Sequence, residues 1–189
     1  MTYGEFVGML ESFLGKKGLS DRIHWFVELA KRDLERRHDF AFTRREWETT
    51  YVEGGVPLPS DFKTVCGNQP VSVNGRLVEF TSEARELSDP GYSWQRAYIK
   101  PDGMLVLVPS LPGATVRLRY YARLPRYVSE AEEDFILKYA PDVLLWATLM
   151  VANFYLFEED RVPLDEAAFE KALKSLMELD ERFNMPAIE

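Results

Sequence analysis

Residues 135–157, FILKYAPDVLLWATLMVANFYLF, form a long and almost uninterrupted apolar stretch. Its last fifteen residues are apolar except for Thr148 and Asn153. Pro141 stands just before them, and proline is favoured in the first turn of a helix. The sequence therefore predicts a helix that begins near Ala140, is apolar almost all round and is covered by neighbouring elements on most sides.

A membrane span is the alternative interpretation of this stretch. A transmembrane helix needs about twenty consecutive apolar residues. Lys138 and Asp142 limit the uninterrupted run to fifteen. The sequence therefore favours a buried central helix over a membrane span.

Length and composition suit one ordinary domain, or one domain with a second inserted into it, because 46% of the 189 residues are apolar. Lys and Arg number 23 against 31 Asp and Glu, which gives a net charge of -8. This balance argues against a general nucleic-acid binder that depends on phosphate neutralisation. From residue 129 onward there are 5 basic and 15 acidic residues, so the negative excess lies in the C-terminal third.

Cys66 is the single cysteine, so no internal disulfide is possible, and a reducing or redox-indifferent compartment is implied. No Cys/His cluster has the spacing of a metal site, and we expect neither metal nor cofactor. The N-terminal residues MTYGEFVGML lack the charged region and cleavage site of a secretory signal, so export by that route is not expected.

The first forty residues predict two helices. Thr2 and Glu5 have the spacing of a capping box, and the helix that they begin ends at the break at residues 15–18. Ser20 begins a longer helix that ends near His38. The apolar stripe of this second helix consists of Ile23, Phe26, Val27, Ala30 and Leu34.

After these helices the apolar pattern changes to a period of two, which predicts five or six strands. The Asn74-Gly75 pair is the strongest signal of a two-residue hairpin. An extended loop is expected at residues 56–62 and a short helix at residues 82–87. The predicted strands are residues 43–52, 96–100, 104–108 and 115–124, and the two runs that flank the hairpin turn within residues 71–80.

The C-terminal third predicts helices again. The acidic residues 129–134 are expected to begin the helical region that leads into the central helix. Pro163 suits the first turn of a final helix that ends near Asn184, and the tail 185–189 is expected to be loose in the isolated chain. The predicted fold class is therefore α+β: a helical bundle from residues 1–40 and 129–189, with a small antiparallel β domain, residues 41–128, inserted.

The sequence contains few catalytic patterns. GxxxxGK fails at Gly15-Lys16, and GxSxG, HExxH and GxGxxG do not occur. His24 and His38 are fourteen residues apart, and no acid or thiol has the spacing that would make them a metal pair. The acidic groups at residues 130–134 and 158–160 permit a cation site, but such acids more commonly serve helix dipoles and solubility. We expect a protein that is not an enzyme.

Two arginine-rich faces are better candidates for function. The first, on the second helix and just after it, contains Lys31, Arg32, Arg36, Arg37, Arg44 and Arg45. It is either a solvated face balanced by neighbouring acids or a docking face for an acidic surface. The second lies on the predicted strand 115–124 and contains Arg117, Arg119, Tyr121 and Arg123. Arginine and tyrosine are enriched where protein interfaces contribute most energy.

The segment RYYARLP at residues 119–125, followed by an acidic linker and by YAPDVLL at residues 139–145, resembles the signature region of tailed-phage head-to-tail connector (adaptor) proteins. The second helix, the LPSDF loop at residues 58–62 and the final helix are also similar to that family. The resemblance covers most of the chain in order. These adaptors are structural, so it implies no catalytic residues.

The resemblance implies a virion protein of the phage neck, made in the host cytoplasm. It would form a ring of twelve copies bound to the portal protein, extend the DNA channel and offer a platform for tail or nozzle proteins. Genomic DNA would pass through the lumen without specific binding.

Within such a ring we expect the acidic corner at residues 158–160 to face Arg32, Arg36 and Arg37 of the next copy. We expect the C-terminal tail to bind the portal. The residues expected at these interfaces are Arg32, Arg36, Arg37, Glu158, Glu159, Asp160, Arg117, Arg119, Arg123, Phe183, Met185 and Ile188. Two alternatives stay open: another tail- or neck-completion protein, and a small monomeric enzyme whose site uses Asp142, Tyr120 and Arg119.

Overall fold

The computed structural model describes residues 1–15, 19–81 and 95–184. Helices and mainly antiparallel strands are both abundant, so the predicted α+β class is confirmed. The helix expected at residues 82–87 and the tail 185–189 lie outside the described residues.

The backbone contacts divide the chain into two compact units. The first, here called the helical unit, consists of Met1–Phe42 and Leu124–Glu189. The second, the β unit, consists of Thr43–Arg123. Each unit has its own cluster of buried apolar side chains.

The helical unit is built around one helix that contacts all four others. Its helices are α1 (Tyr3–Leu14), α2 (Ser20–Arg37), α3 (Phe135–Tyr139), α4 (Pro141–Tyr155) and α5 (Val162–Asn184). The central element is α4, which packs against α1, α2, α3 and α5. The prediction of a largely covered helix with Pro141 in its first turn is confirmed.

The two polar interruptions of α4 are buried and fully bonded. The Thr148 hydroxyl donates to the carbonyl oxygen of Leu144 at 2.6 Å. The Asn153 side-chain amide donates to Asp165 Oδ2 of α5, also at 2.6 Å. Burying a polar group without a hydrogen-bond partner costs free energy. Because both side chains are bonded, α4 can be buried at these two polar positions as well as at its apolar ones.

The start of α1 agrees with the sequence signals, whereas the start of α3 differs from them. The Thr2 and Glu5 side chains form the predicted capping box, and α1 ends at Gly15 with φ of 59°. The expected helix over residues 129–134 is wrong, because the helix begins only at Phe135. Asp134 caps α3 by accepting from the Leu137 N–H, a role that a short acidic side chain fills better than a helix interior.

The β unit contains more strands than the five or six predicted. They are β1 (Arg44–Thr50), β2 (Val56–Pro57), β3 (Phe62–Val65), β4 (Val71–Val73), β5 (Arg76–Leu77), β6 (Glu79–Phe80), β7 (Arg96–Ile99), β8 (Met104–Val108) and β9 (Thr115–Ala122). One sheet has the order β1-β9-β4-β5, with β3 also paired to β9, and the other has the order β2-β8-β7-β6. A period of two cannot be recognised in strands of two to four residues. For this reason β2 falls within the expected loop at residues 56–62, and β3 is not among the predicted strands.

The first sheet is organised by β9, which pairs with β1 along one edge and with β3 and β4 along the other. Its alternation is as predicted, since Val116, Leu118, Tyr120 and Ala122 are buried. The hairpin prediction is also confirmed: β4 and β5 are joined by Asn74 and Gly75, both with positive φ.

Asp180 provides a test of how the helical unit is held together. This buried carboxylate on α5 accepts from the N–H groups of Ala41 at 2.6 Å and Phe42 at 3.0 Å. We expect Asp180→Ala to lower the free energy of unfolding by about 2–4 kcal/mol, because two N–H donors lose their partner. Urea unfolding followed by helical circular dichroism measures this change.

The exposed neighbour Glu181 is the matched control. Glu181→Ala is expected to change the stability by less than about 0.5 kcal/mol. Equal effects of the two substitutions would contradict the assigned role of Asp180.

Candidate interaction surfaces

Three exposed arginines lie on the outer face of β9 and on the residue that follows it. Each of them bonds to another group of the β unit. Arg117 forms an ion pair with Glu48 on β1, and Glu46 lies 3.8 Å away. Arg119 donates to the carbonyl oxygen of Gln69 at 3.0 Å. The hydrogen bond to Glu48 raises the pKa of Arg117. This face is accessible to a partner, although its arginines already brace the sheet.

Arg123, one residue beyond β9, completes this face. Its Nε donates to the carbonyl oxygen of Phe62 at 3.2 Å. Tyr121 is half-buried on the same side of the strand, and Arg44 donates to its hydroxyl at 3.2 Å. A guanidinium has five N–H donors, so these single bonds leave donors for carboxylates of a partner.

The arginines of α2 differ in how much of their charge is already neutralised. Arg36 pairs with Asp33 at 3.1 Å. Arg37 bonds both Asp33 at 2.7 Å and Glu170 of α5 at 2.6 Å. Arg32 is exposed and has no ion pair among the residues that the structure describes. Of the three predicted interface arginines on α2, Arg32 is therefore the one with an uncompensated charge.

Lys31 corrects the interpretation of the first basic face. A solvated face and a docking face would both expose Lys31, but only 3% of it is exposed. Its Nζ donates to the carbonyl oxygen of Pro125 and lies 4.0 Å from Asp134 Oδ2 and 3.5 Å from the centre of the Tyr127 ring. Burial lowers the pKa of Lys31, and the Asp134 charge opposes that effect. Lys31 therefore fastens the segment that leads into α3 and is not available to a partner.

The position of Lys31 along α2 carried a signal of this burial. It lies four residues after Val27 and three before Leu34, which are both buried. Residues at these spacings share one face of a helix. A charged residue on an apolar face indicates a buried partner rather than a solvated side chain.

The connection between α4 and α5, residues 157–161, forms the predicted acidic corner. Glu158 is half-exposed and pairs with Arg161 at 3.3 Å. Asp160 is exposed and has no ion pair within the described part of the chain, and Glu159 lies in a short 3-10 helix with its neighbours. Phe157 begins the corner with φ of 58° and 86% of its surface exposed. A bulky side chain in this left-handed region costs about 1–2 kcal/mol.

In the part of the chain that the structure describes, two grooves open beside α2. The first, of about 430 Å³, lies between α2 and α4 and is lined by Met150 and Val151 together with Arg36 and Arg37. The second, of about 440 Å³, lies between α2 and the segment that precedes α3. Its lining residues are Tyr3, His24, Trp25, Glu28, Leu29, Arg32, Arg126, Tyr127 and Val128.

Two residues of the alternative enzyme site, Tyr120 and Arg119, point away from each other. They are adjacent on β9 and therefore face opposite sides of the sheet. Asp142 lies in α4 of the helical unit. The Tyr120 hydroxyl donates to Asp61 at 2.9 Å, and burial together with this bond raises the pKa of Tyr120 to about 12. Tyr120 is thus a bonded core side chain.

Residues 1–15, 19–81 and 95–184 contain neither a candidate metal cluster nor a candidate membrane-spanning helix. No three His, Cys, Asp or Glu side chains in these ranges are grouped so that they could hold a metal ion. Nor does any helix there combine the length and the apolar character needed to cross a membrane. Cys66 is a free cysteine that is half-buried.

The C-terminal residues of the predicted interface are only partly described. Phe183 lies in the last turn of α5. Met185 and Ile188 fall outside the described residues. The structure therefore groups the predicted interface residues into the β9 face, the α2 arginines and the acidic corner.

Comparison with known proteins identifies the family. The profile of the SU10 adaptor protein family matches residues 1–188, and the chain belongs to this family of phage head-to-tail adaptors. No curated protein matches the sequence.

Tyr3 stacks on Tyr127, the ring that also contacts Lys31, and offers a test of this buried cluster. Burial, with a smaller contribution from Glu28, raises the pKa of Tyr3 to about 12. The unfolded chain forms the phenolate near pH 10, so the stability that protonated Tyr3 provides is complete below about pH 10 and is lost as the pH rises. We expect Tyr3→Phe to make the free energy of unfolding fall less steeply than in the wild type between pH about 10 and about 12.

Urea unfolding of the two proteins across this range measures the difference in slope. Phenylalanine keeps the ring that stacks on Tyr127 at 4.5 Å, so packing is matched. Identical slopes would contradict the raised pKa.

Proposed function

We propose that the chain is a head-to-tail adaptor that forms a ring of twelve copies beneath the portal of a tailed phage. The observation that carries this proposal is the family match, which extends over residues 1–188. The ring would sit in the neck of the virion, continue the DNA channel during ejection and offer a platform for tail or nozzle proteins. The protein would be made in the host cytoplasm and would act without catalysis.

The distribution of charge supports a channel role. Among the acidic side chains after residue 129 whose burial the structure describes, eight are exposed: Glu130, Glu133, Asp142, Asp160, Glu166, Glu170, Glu178 and Glu181. An acidic lining repels phosphates, so DNA would slide past it without being held. We propose that part of this acidic surface faces the lumen.

The arginine-bearing faces support contacts between proteins. In a closed ring every copy uses two different patches, one for each neighbour. The β9 face, with Arg117, Arg119 and Arg123, presents unused guanidinium donors for a carboxylate-bearing neighbour or a tail protein. The end of α5, with Phe183, and the tail beyond it, with Met185 and Ile188, are proposed to bind the portal.

The ring proposal is tested by native mass measurements of the full-length protein, alone and mixed with the portal protein from the same source. We expect a defined complex with about one copy per portal subunit, because a ring matched to the portal places each copy in the same environment. Raising the salt concentration separates this complex from loose association of exposed charges. A chain that remains monomeric and ignores the portal would reject the proposal.

The tail is tested by removing residues 184–189. We expect portal binding to be lost while ring contacts are kept, since a short apolar end that orders in a groove supplies contact area to one partner only. The double substitution Met185→Ala and Ile188→Ala keeps the length of the tail and should also weaken binding. Portal binding at the wild-type level in both variants would reject the role of the tail.

A further inference from the structure

Two charged groups of the helical unit at the predicted interfaces form no ion pair with another described residue. They are Arg32 on α2 and Asp160 in the acidic corner, both exposed. Their neighbours are compensated internally: Arg36 and Arg37 by Asp33, and Glu158 by Arg161. Pairing inside the helical unit thus leaves Arg32 and Asp160 as groups that a second copy could bring together.

Arg32 stands beside an apolar groove. Trp25 is 64% exposed, and Leu29 and Val128 on the same groove are also exposed. The groove has a volume of about 440 Å³. We call this groove the socket. It combines a tryptophan and an arginine, two residue types that dominate the energetics of protein interfaces.

Asp160 stands beside an apolar projection. Phe157, three residues earlier, exposes 86% of its surface and holds a left-handed backbone conformation that glycine or asparagine would adopt at less cost. Leu164 in the first turn of α5 is also exposed. The bond from the Glu158 N–H to the carbonyl oxygen of Asn153, at 2.9 Å, fixes the corner to the end of α4. The corner therefore presents a preorganised aromatic side chain next to an acid.

We infer that the acidic corner of one copy docks into the socket of the next copy, with Phe157 entering beside Trp25 and Leu29 and Asp160 pairing with Arg32. This inference rests on the proposed ring and names the contact that would build it. Charge and apolar character are complementary in both halves, since an acid accompanies the projection and an arginine accompanies the groove. Because the two patches differ, the contact is head-to-tail, the type that closes into rings.

The first experiment removes one half of the contact at a time. Phe157→Asp damages the corner and leaves the socket, whereas Trp25→Asp damages the socket and leaves the corner. Each variant alone should assemble at least about thirtyfold more weakly than the wild type, the loss typical of a central aromatic contact. An equimolar mixture retains one intact corner and one intact socket, so we expect a one-to-one pair and nothing larger. Analytical ultracentrifugation and native mass spectrometry measure these species.

The second experiment exchanges the charges. Arg32→Glu and Asp160→Lys should each weaken assembly by about fivefold, as expected for a partly solvated pair. The two substitutions in the same chain restore opposite charges across every contact and should return assembly to near the wild-type level. A rescue of this kind requires that the two positions face each other.

Two substitutions serve as controls for added charge. Val52→Asp places an acid at another exposed apolar position, and Lys174→Glu reverses an exposed charge on α5. Both should assemble like the wild type.

The outcomes separate this inference from the ring itself. Wild-type rings together with normal assembly of the corner and socket variants would overturn the docking contact and leave the adaptor function standing. Variants that form normal rings but no longer bind the portal would assign these patches to the portal and also overturn it. A wild-type chain that assembles neither alone nor on the portal would reject the ring and this contact together.

Discussion

The need to cover α4 governs the rest of the structure. Eight of its fifteen residues are buried, and each buried large apolar side chain contributes about 1.5–3 kcal/mol relative to exposure. No single neighbour can cover a helix that is apolar on most of its circumference. The covering helices come from both ends of the chain, α1 and α2 from the beginning and α3 and α5 from the end. The β unit is consequently an insertion in the sequence between α2 and α3, which both pack on α4.

The features that sequence could predict are those with a long enough repeat or a local backbone requirement. The period of α2, the alternation of β9 and the Asn74-Gly75 turn are of this kind, and the structure has each of them. What could not be predicted depends on partners distant in the sequence. The spacing of Lys31 on α2 indicates its burial, but its partners, the carbonyl of Pro125 and the carboxylate of Asp134, are too distant in the sequence to be identified locally. Short strands such as β3 exist only because β9 offers them an edge.

The candidate surfaces show the same division between composition and pairing. Sequence indicated where arginines and acids accumulate, but exposure of a charge does not measure its availability. Arg37 and Arg117 are at the surface and yet engaged with carboxylates of their own chain. Such pairs contribute modestly to stability, while they determine which neighbouring groups remain to attract another molecule. The family identity shows that the chain is a phage adaptor. The pattern of internal ion pairs reduces the number of charged side chains that are candidates for contacts with partners.

The pairing of β1 with β9 has a consequence for how the chain folds during synthesis. Arg44 lies opposite Tyr121, so the first strand of the β unit waits for the last before its sheet can form. Contacts so far apart along the chain carry a large loop-closure entropy and fold slowly. The apolar stripes of α1 and α2 wait longer still, until α4 has left the ribosome. The nascent chain thus exposes its N-terminal helices through most of translation, which makes this period the one in which the protein is most exposed to aggregation.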